Sequence, residues 1–303
     1  MSVNLSIDIN GLNFKNPVLT ASGCFSYGEE ASEVFDLSLL GGVVTKSLTC
    51  LPREGHPPPK VHETACGMLN AIGLSNVGIE SFLSEKLPLL AKYDANCVVS
   101  IAGSKIGEYA RLAERLADEE DVDALEVNIS CPNVDEGGLE FGAYPEPAGK
   151  VIAAVKNKFS RPVIAKLSPN VTDIVSIARS VIDSGADSIS LINTLVGTAI
   201  DIKSKSFKLS NGFGGLSGPA IKPVALAMVY KVAYAVEVPI IGIGGITSAS
   251  DAIEFLLAGA KAVQIGTVCF FDPLAPVKII DGIRNYLEDN NINDVKDIIG
   301  TVR

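Results

Sequence analysis

Polar side chains stand at the ends of short apolar runs, and two of them are lysines. Lys46 ends a run that begins at Gly42, and Lys166 lies near the end of a run that begins at Pro162. A buried ammonium group needs an anion, or a ring that gains negative charge during reaction. The other polar residues at run ends are Ser22, Ser100, Asn128, Asn193 and Thr194. Asparagine carries a donor and an acceptor in one amide, so Asn128 and Asn193, together with Asn70, suit a heterocycle of alternating C=O and N–H groups. Taken singly, each is equally typical of a capped turn.

Two glycine-containing runs suggest a phosphate site. Ile241–Ile246 reads I-G-I-G-G-I, and Gln264–Thr267 reads Q-I-G-T. Glycine lets a ligand approach the backbone closely, so the N–H groups of Gly244, Gly245 and Gly266 could bind a phosphate. The first run lacks the third spaced glycine of a dinucleotide fingerprint, which disfavours an NAD-binding Rossmann unit.

One of the six cysteines lies where a catalytic group is expected. Cys131 is in the polar loop after the run Ala124–Ile129, whereas most single cysteines are inert apolar side chains. The two histidines, His56 and His62, are distant in sequence from Cys131, so a Cys–His pair is unsupported. A lone thiol with an ordinary pKa of about 8.5 is better suited to taking a proton from a substrate than to peptide hydrolysis. The glycine-rich stretch Asp135–Leu139 could close over it as a lid.

Eight β-branched runs alternate with segments of helical period. The runs are Pro17–Ser22, Gly42–Lys46, Cys97–Ile101, Ala124–Ile129, Pro162–Leu167, Ser188–Asn193, Pro239–Gly244 and Ala262–Gly266. Runs that are apolar on both faces are typical of parallel strands covered by helices. The sequence therefore predicts a (β/α)8 TIM barrel, a single domain over residues 1–303, with the polar run ends on one rim. A doubly wound sheet is the alternative.

Three long segments interrupt the predicted strand and helix alternation. They are Ser47–Gly78, Cys131–Pro147 and Leu195–Pro219, and long loops in a compact domain are usually functional.

Thr172 and Ser248 are predicted helix N-caps.

The composition excludes several classes of protein. Hydrophobic residues make up 47% of the chain and charged residues 20%, which excludes a disordered chain. The net charge of −10 argues against a nucleic-acid partner. No signal peptide, membrane span or C-x-x-C pair is visible, so we expect a cytoplasmic protein with reduced thiols and no metal site of its own.

Four motifs form a specific combination that spans essentially the whole chain. They are N-I-S-C-P-N at Asn128–Asn133, G-M-L-N-A-I-G-L-S-N at Gly67–Asn76, G-G-L-S-G-P-A at Gly214–Ala220 and the run Ile241–Ile246. Together they resemble class 1 dihydroorotate dehydrogenase, the FMN-containing flavoprotein of pyrimidine (UMP) biosynthesis. The N-A-I-G-L segment is more similar to the NAD-linked class 1B catalytic subunit than to the fumarate-linked class 1A homodimer.

The resemblance implies an oxidoreductase that converts (S)-dihydroorotate to orotate. Cys131 would remove the C5 proton while the C6 hydride passes to FMN, one per chain. The implied substrate-binding residues are Lys46, Asn70, Ala71, Ile72, Gly73, Leu74, Asn128, Asn193 and Thr194. The implied FMN-binding residues are Ser22, Lys46, Ser47, Ser100, Asn128, Lys166, Ile192, Gly218, Gly244, Gly245, Gly266 and Thr267. Two residues depart from the family pattern, since Ser100 stands where relatives often carry Asn and Lys60 where they carry Arg or Thr.

The class 1B resemblance also implies a partner. A homodimer of this chain would join a subunit that carries FAD and a 2Fe–2S cluster, in a heterotetramer that passes electrons to NAD+. The alternatives are the fumarate-linked homodimer, a phosphate-binding barrel lyase or isomerase without flavin, and a non-catalytic electron-transfer or scaffold subunit. The last would leave Cys131 and Lys46 unexplained.

Overall fold

A closed barrel of eight parallel strands forms the centre of the molecule. The computed structural model describes residues 3–130, 132–133 and 139–302. The barrel strands are β1 (Val18–Thr20), β2 (Gly42–Val44), β3 (Asn96–Ile101), β4 (Ala124–Asn128), β5 (Val163–Leu167), β6 (Ser188–Leu191), β7 (Ile240–Ile243) and β8 (Ala262–Ile265). Each pairs in parallel with its sequence neighbours, and β8 pairs with β1 to close the ring. All eight predicted strands are confirmed. Seven are one to three residues shorter than predicted, and β3 begins one residue earlier. Closure of the barrel excludes the doubly wound sheet.

Helices surround the barrel and cover its apolar exterior. They are α1 (Glu29–Ser32), α2 (Ile79–Ser81), α3 (Leu87–Leu90), α4 (Ile106–Ala117), α5 (Pro145–Lys156), α6 (Ile174–Asp183), α7 (Lys222–Ala233), α8 (Ala249–Leu257) and α9 (Ala275–Asp289), and a π-helical turn, Phe82–Lys86, joins α2 to α3. None of the helices in the described ranges is long and apolar enough to cross a membrane.

Two of the three long segments build one sheet beside the strand ends. The antiparallel order is Leu195–Thr198, Phe213–Ser217, Gly67–Asn70 and Val61–Thr64. Strands from two excursions therefore pair with each other, with Gly215 opposite Asn70. This pairing connects the segment after β2 to the segment after β6, and it holds both over the same end of the barrel.

Two N-caps were predicted, and one is confirmed. The hydroxyl of Ser248 accepts from the backbone N–H of Asp251 at 3.2 Å, in a capping box at the start of α8. The prediction for Thr172 is wrong, because Asp173 is the N-cap of α6 and its carboxylate accepts from the backbone N–H groups of Val175 and Ser176. An aspartate one residue later in the chain offers a charged acceptor in the position that the helix amides can reach.

Asp251 ties α8 to α7 next to the end of β7. Its carboxylate accepts from Lys222 Nζ at 2.6 Å and from the backbone N–H and hydroxyl of both Thr247 and Ser248, at 2.8–2.9 Å. Burial alone would raise the pKa of Asp251, but these hydrogen bonds outweigh it and lower the pKa from 3.8 to about 2. The carboxylate is therefore a pH-dependent stabiliser of this corner.

We expect Asp251→Asn to reduce the free energy of unfolding by about 1–2 kcal/mol at neutral pH, because the cap and the ion pair are both weakened. The pKa of Asp251 is lower in the folded state, so its stabilisation is present above the unfolded pKa and is lost as the pH falls from about 4 towards 2. Urea unfolding of both proteins across this range measures it. Asp281→Asn, in the exposed pair with Arg284, is the control and should change stability by less than about 0.5 kcal/mol. A deficit for Asp251→Asn that stays constant down to pH about 2 would contradict this assignment.

Candidate active site

A cavity of about 720 Å³ lies at the carboxyl ends of the barrel strands. Most residues predicted for the site line it. They are Ser22, Lys46, Ser47, Asn70, Ile72, Gly73, Leu74, Asn128, Lys166, Ile192, Asn193, Thr194, Gly218, Gly244, Gly245, Gly266 and Thr267. The barrel brings these positions together because all its parallel strands end at the same rim.

Two predicted residues do not line the cavity, and a third lies outside the described residues. Ser100 is fully buried behind the cavity wall, and its hydroxyl lies 2.8 Å from that of Ser47. Ala71 is buried and does not line the cavity. Cys131 and residues 135–138 of the predicted lid lie outside the described residues. Ser130, the residue before Cys131, lines the cavity.

Lys166 extends from β5 across the cavity floor. Its ammonium group donates to Ser22 Oγ at 3.0 Å and to Glu126 Oε1 at 3.1 Å, and both charged side chains are at most 5% exposed. The β4–β5 and β5–β6 registers place Lys166 beside Asn128 and Ser190. The ammonium is therefore fixed in place, and a buried carboxylate balances its charge.

A chain of amide and hydroxyl groups crosses the cavity from β3 to the end of β6. Asn193 Nδ2 donates to Ser130 Oγ at 3.0 Å and to Asn128 Oδ1 at 3.3 Å. Asn128 Nδ2 lies 3.5 Å from Ser47 Oγ, which in turn contacts Ser100. Asn128 Oδ1 also accepts from the backbone N–H of Ser130, and Asn193 Oδ1 accepts from that of Thr194. These bonds fix the orientation of both amides and leave one N–H of Asn128 and one acceptor position on Asn193 Oδ1 for a ligand.

Lys46 and Cys24, which both line the cavity, have pKa values that are shifted by burial. Burial disfavours the charged form of Lys46 and therefore lowers its pKa. Burial also raises the pKa of Cys24 to about 11, although the charges of Lys166 and Lys46 act in the other direction. Cys24 is therefore a neutral thiol at neutral pH, and Lys46 is a cation that gains from a nearby anion.

The glycines at the ends of β7 and β8 leave their backbone uncovered. Gly244 and Gly245 have φ angles of 126° and 72°. A Cβ on Gly245 would lie 2.7 Å from the backbone N of Lys222, and one on Gly244 would lie 2.8 Å from the Ala225 Cβ. Side chains are excluded there by both conformation and space, so these two residues line the cavity without side chains. Backbone N–H groups in such a position can bind a phosphate.

The comparison with known proteins agrees with this site. A sequence model of the family described as Dihydroorotate dehydrogenase matches residues 4–287. The chain belongs to the dihydroorotate dehydrogenase family. It is 53% identical over 300 residues to the Geotalea daltonii protein named "Dihydroorotate dehydrogenase B (NAD(+)), catalytic subunit", covering 99% of this chain and 98% of that protein.

Other relatives carry the same name. The Pelobacter propionicus protein is 53% identical over 302 residues, covering 100% of this chain and 99% of the relative. The protein of Thermoanaerobacter sp. strain X514 is 50% identical over 301 residues, covering 99% of both chains. The similarity therefore extends over the full length of these dihydroorotate dehydrogenases and includes every strand of the barrel.

Several residues of this dihydroorotate dehydrogenase site were missed by the sequence reasoning. Glu126, Ser190 and Gln264 lie in the middle of apolar strands, and Cys24 and Glu140 line the cavity from neighbouring segments. Burial raises the pKa of the Glu140 carboxyl, and a hydrogen bond from Ser168 opposes this. A charged residue inside an otherwise apolar strand, as in A-L-E-V-N, was the available signal. In the described ranges, no group of three His, Cys, Asp or Glu side chains is placed to hold a metal ion.

We expect Gly245→Ala to weaken cofactor retention and to destabilise the protein by about 1–3 kcal/mol, because the new Cβ meets the Lys222 backbone at a positive φ. Thermal unfolding and the flavin content of the purified protein measure the two effects. Gly107→Ala is the matched control, since Gly107 lies in α4 with open space around its Cβ position. Alanine there should leave flavin content unchanged and stabilise the helix by up to about 1 kcal/mol. Equal behaviour of the two variants would contradict the assignment of Gly245.

Proposed function

We propose that this protein binds FMN in the barrel cavity and oxidises (S)-dihydroorotate to orotate, a step of pyrimidine biosynthesis. The observation that carries the proposal is the convergence of Lys46, Lys166 and an oriented amide chain on one cavity, beside uncovered glycine backbone. The full-length similarity to dihydroorotate dehydrogenases supports the choice of reaction. That residues 1–303 form a single FMN-binding domain stays a prediction.

The residues of the cavity fit FMN. Gly244, Gly245, Gly266 and Thr267 would hold the phosphate through backbone N–H groups and a hydroxyl, and Lys166 would face the ring. Gln264 is among the residues that line the cavity, and its carboxamide oxygen is buried without a hydrogen-bond partner among the residues that the structure describes. A ligand that carries an N–H group would supply the missing donor. FMN, when bound, supplies the acceptor for a hydride.

Asn193 and Asn128 would orient the substrate ring, and Lys46 would pair with its carboxylate. The loop Asn70–Leu74 completes this side of the cavity, since the Asn70 side chain is held by a 3.1 Å bond to the carbonyl of Gly215. Cys131 is the proposed base. It would take the C5 proton as the C6 hydride leaves, so the substrate loses two electrons and two hydrogens and gains a C=C bond.

The electrons would leave through a separate subunit. The relatives are named catalytic subunits of a NAD(+)-type enzyme, which supports a division between this chain and an electron-transfer partner. We propose that the partner carries FAD and a 2Fe–2S cluster, passes electrons to NAD+, and joins a homodimer of this chain in a heterotetramer. A cytoplasmic location stays a prediction.

The purified protein should be yellow, and it should bleach when dihydroorotate is added without oxygen. Absorbance in the flavin band, followed after anaerobic mixing, measures this. A colourless protein that cannot be reconstituted with FMN would overturn the proposal and favour a flavin-free phosphate-binding lyase or isomerase. Addition of fumarate, and separately of NAD+ with the co-purified partner subunit, then identifies the acceptor that restores the colour.

Cys131→Ala should slow flavin bleaching by dihydroorotate about 10²–10⁴-fold near neutral pH, because general-base catalysis contributes a factor of this size. Stopped-flow absorbance gives the rate. Cys66→Ala is the control, since Cys66 is exposed and does not line the cavity, and it should keep the wild-type rate. Wild-type rates in both variants would show that another group is the base.

A further inference from the structure

A buried carboxylate on β4 organises the floor of the cavity. Glu126 is fully buried, and its two oxygens accept three hydrogen bonds from three other strands. Lys166 Nζ donates to Oε1 at 3.1 Å, while Ser190 Oγ and Gln264 Nε2 donate to Oε2 at 2.9 and 2.6 Å. A charge at this depth is stable only when it is paired and hydrogen-bonded, as it is here.

The carboxylate determines which way the Gln264 amide faces. An ionised carboxylate has no hydrogen to donate, so Gln264 must turn its NH2 group toward Glu126 and its Oε1 atom away. That Oε1 atom is buried and, among residues 3–130, 132–133 and 139–302, has no hydrogen-bond partner. Gln264 lines the cavity. The floor therefore carries an oriented cation, Lys166, and an acceptor that lacks a donor.

We propose that Glu126 is a positioning residue. By holding Lys166 and Gln264, it fixes which groups of the cavity floor donate and which accept hydrogen bonds at the pyrimidine edge of the flavin. Lys166 would donate to the carbonyl or nitrogen acceptors of that edge, and Gln264 Oε1 would accept from its N–H. This rests on the proposed binding of FMN. The roles of Glu126 and Gln264 are the new assignment.

Glu126 has a second consequence, because its charge offsets that of Lys166. A ring that gains electrons is stabilised by a nearby cation, and a carboxylate within hydrogen-bond distance of that cation reduces the effect. Glu126 therefore lowers the reduction potential of the bound flavin relative to a floor with Lys166 alone. A purely structural network would need no charge, since apolar residues of similar volume usually stabilise a core as well as a buried ion pair does.

The test is the midpoint potential of bound FMN in wild type, Glu126→Gln and Ser190→Ala, measured by reductive titration. Glu126→Gln removes the charge and should strengthen binding of reduced relative to oxidised FMN about tenfold, which equals a rise of about 30 mV for a two-electron couple. Ser190→Ala removes one hydrogen bond to the same carboxylate but keeps its charge, so this ratio should change less than about threefold. Equal shifts in the two variants would overturn the proposal.

A failure of the proposed function gives a different result. If wild-type protein binds no FMN, the cofactor assignment is wrong. If wild type binds FMN but the potential of Glu126→Gln is that of wild type, only the role of Glu126 is wrong.

Gln264→Leu provides a second test that leaves Glu126 and Lys166 in place, and it applies even if Glu126→Gln does not fold. The probe is 3-methyl-FMN, in which a methyl group replaces the hydrogen of the ring N–H. Wild type should bind FMN at least about tenfold more tightly than 3-methyl-FMN, because Gln264 Oε1 loses its donor. Gln264→Leu should reduce this preference several-fold, measured by fluorescence titration of the apoprotein. An undiminished preference in Gln264→Leu would overturn the acceptor role of Gln264.

Discussion

Parallel closure of the barrel is the constraint on which the site depends. Each strand pairs with its sequence neighbours and β8 returns to β1, so all eight strands end on the same rim. Side chains alternate along each strand, and every second residue points into the barrel. Lys166 follows this rule on β5, and its ammonium group lies 3.0 Å from Ser22 in the turn after β1 because both strands end on the same rim. A shift of one residue in the register of β5 would turn Lys166 toward the surrounding helices.

The antiparallel sheet gives the cavity its second wall. Strands from the segments after β2 and β6 pair with each other, and the Asn70 side chain bonds to the carbonyl of Gly215. A Cβ at Gly215 would lie 2.0 Å from Thr194 Oγ1, so this strand packs directly against the end of β6. The two proposed substrate contacts, Asn70 and Thr194, are therefore positioned by one packing contact rather than by two independent loops.

The sequence predicted the barrel and most of the rim, and the reasons for the remaining errors are physical. Strands and strand ends can be predicted from local patterns, because an apolar run bounded by glycine or proline is visible in the sequence without information on the strands that it pairs with. Ser100 was predicted at the cofactor, yet it is buried and does not line the cavity, and its hydroxyl contacts that of Ser47, which does. Glu126 and Gln264 were missed because each is defined by its partners on other strands. Only the closed barrel brings those partners within reach.

The two lysines on the rim differ in how their charge is balanced. Lys166 has a buried carboxylate at 3.1 Å before any ligand is present. Lys46 has no ion pair with any carboxylate in the described part of the chain, and burial lowers its pKa. An anion placed beside Lys46 would favour its charged form, so this lysine gains most from an anionic ligand such as a carboxylate. A ligand beside Lys166 encounters a cation that is already compensated, which suits a ring that is neutral when it binds. The difference in compensation thus supports assigning Lys46 to the substrate carboxylate and Lys166 to the cofactor ring.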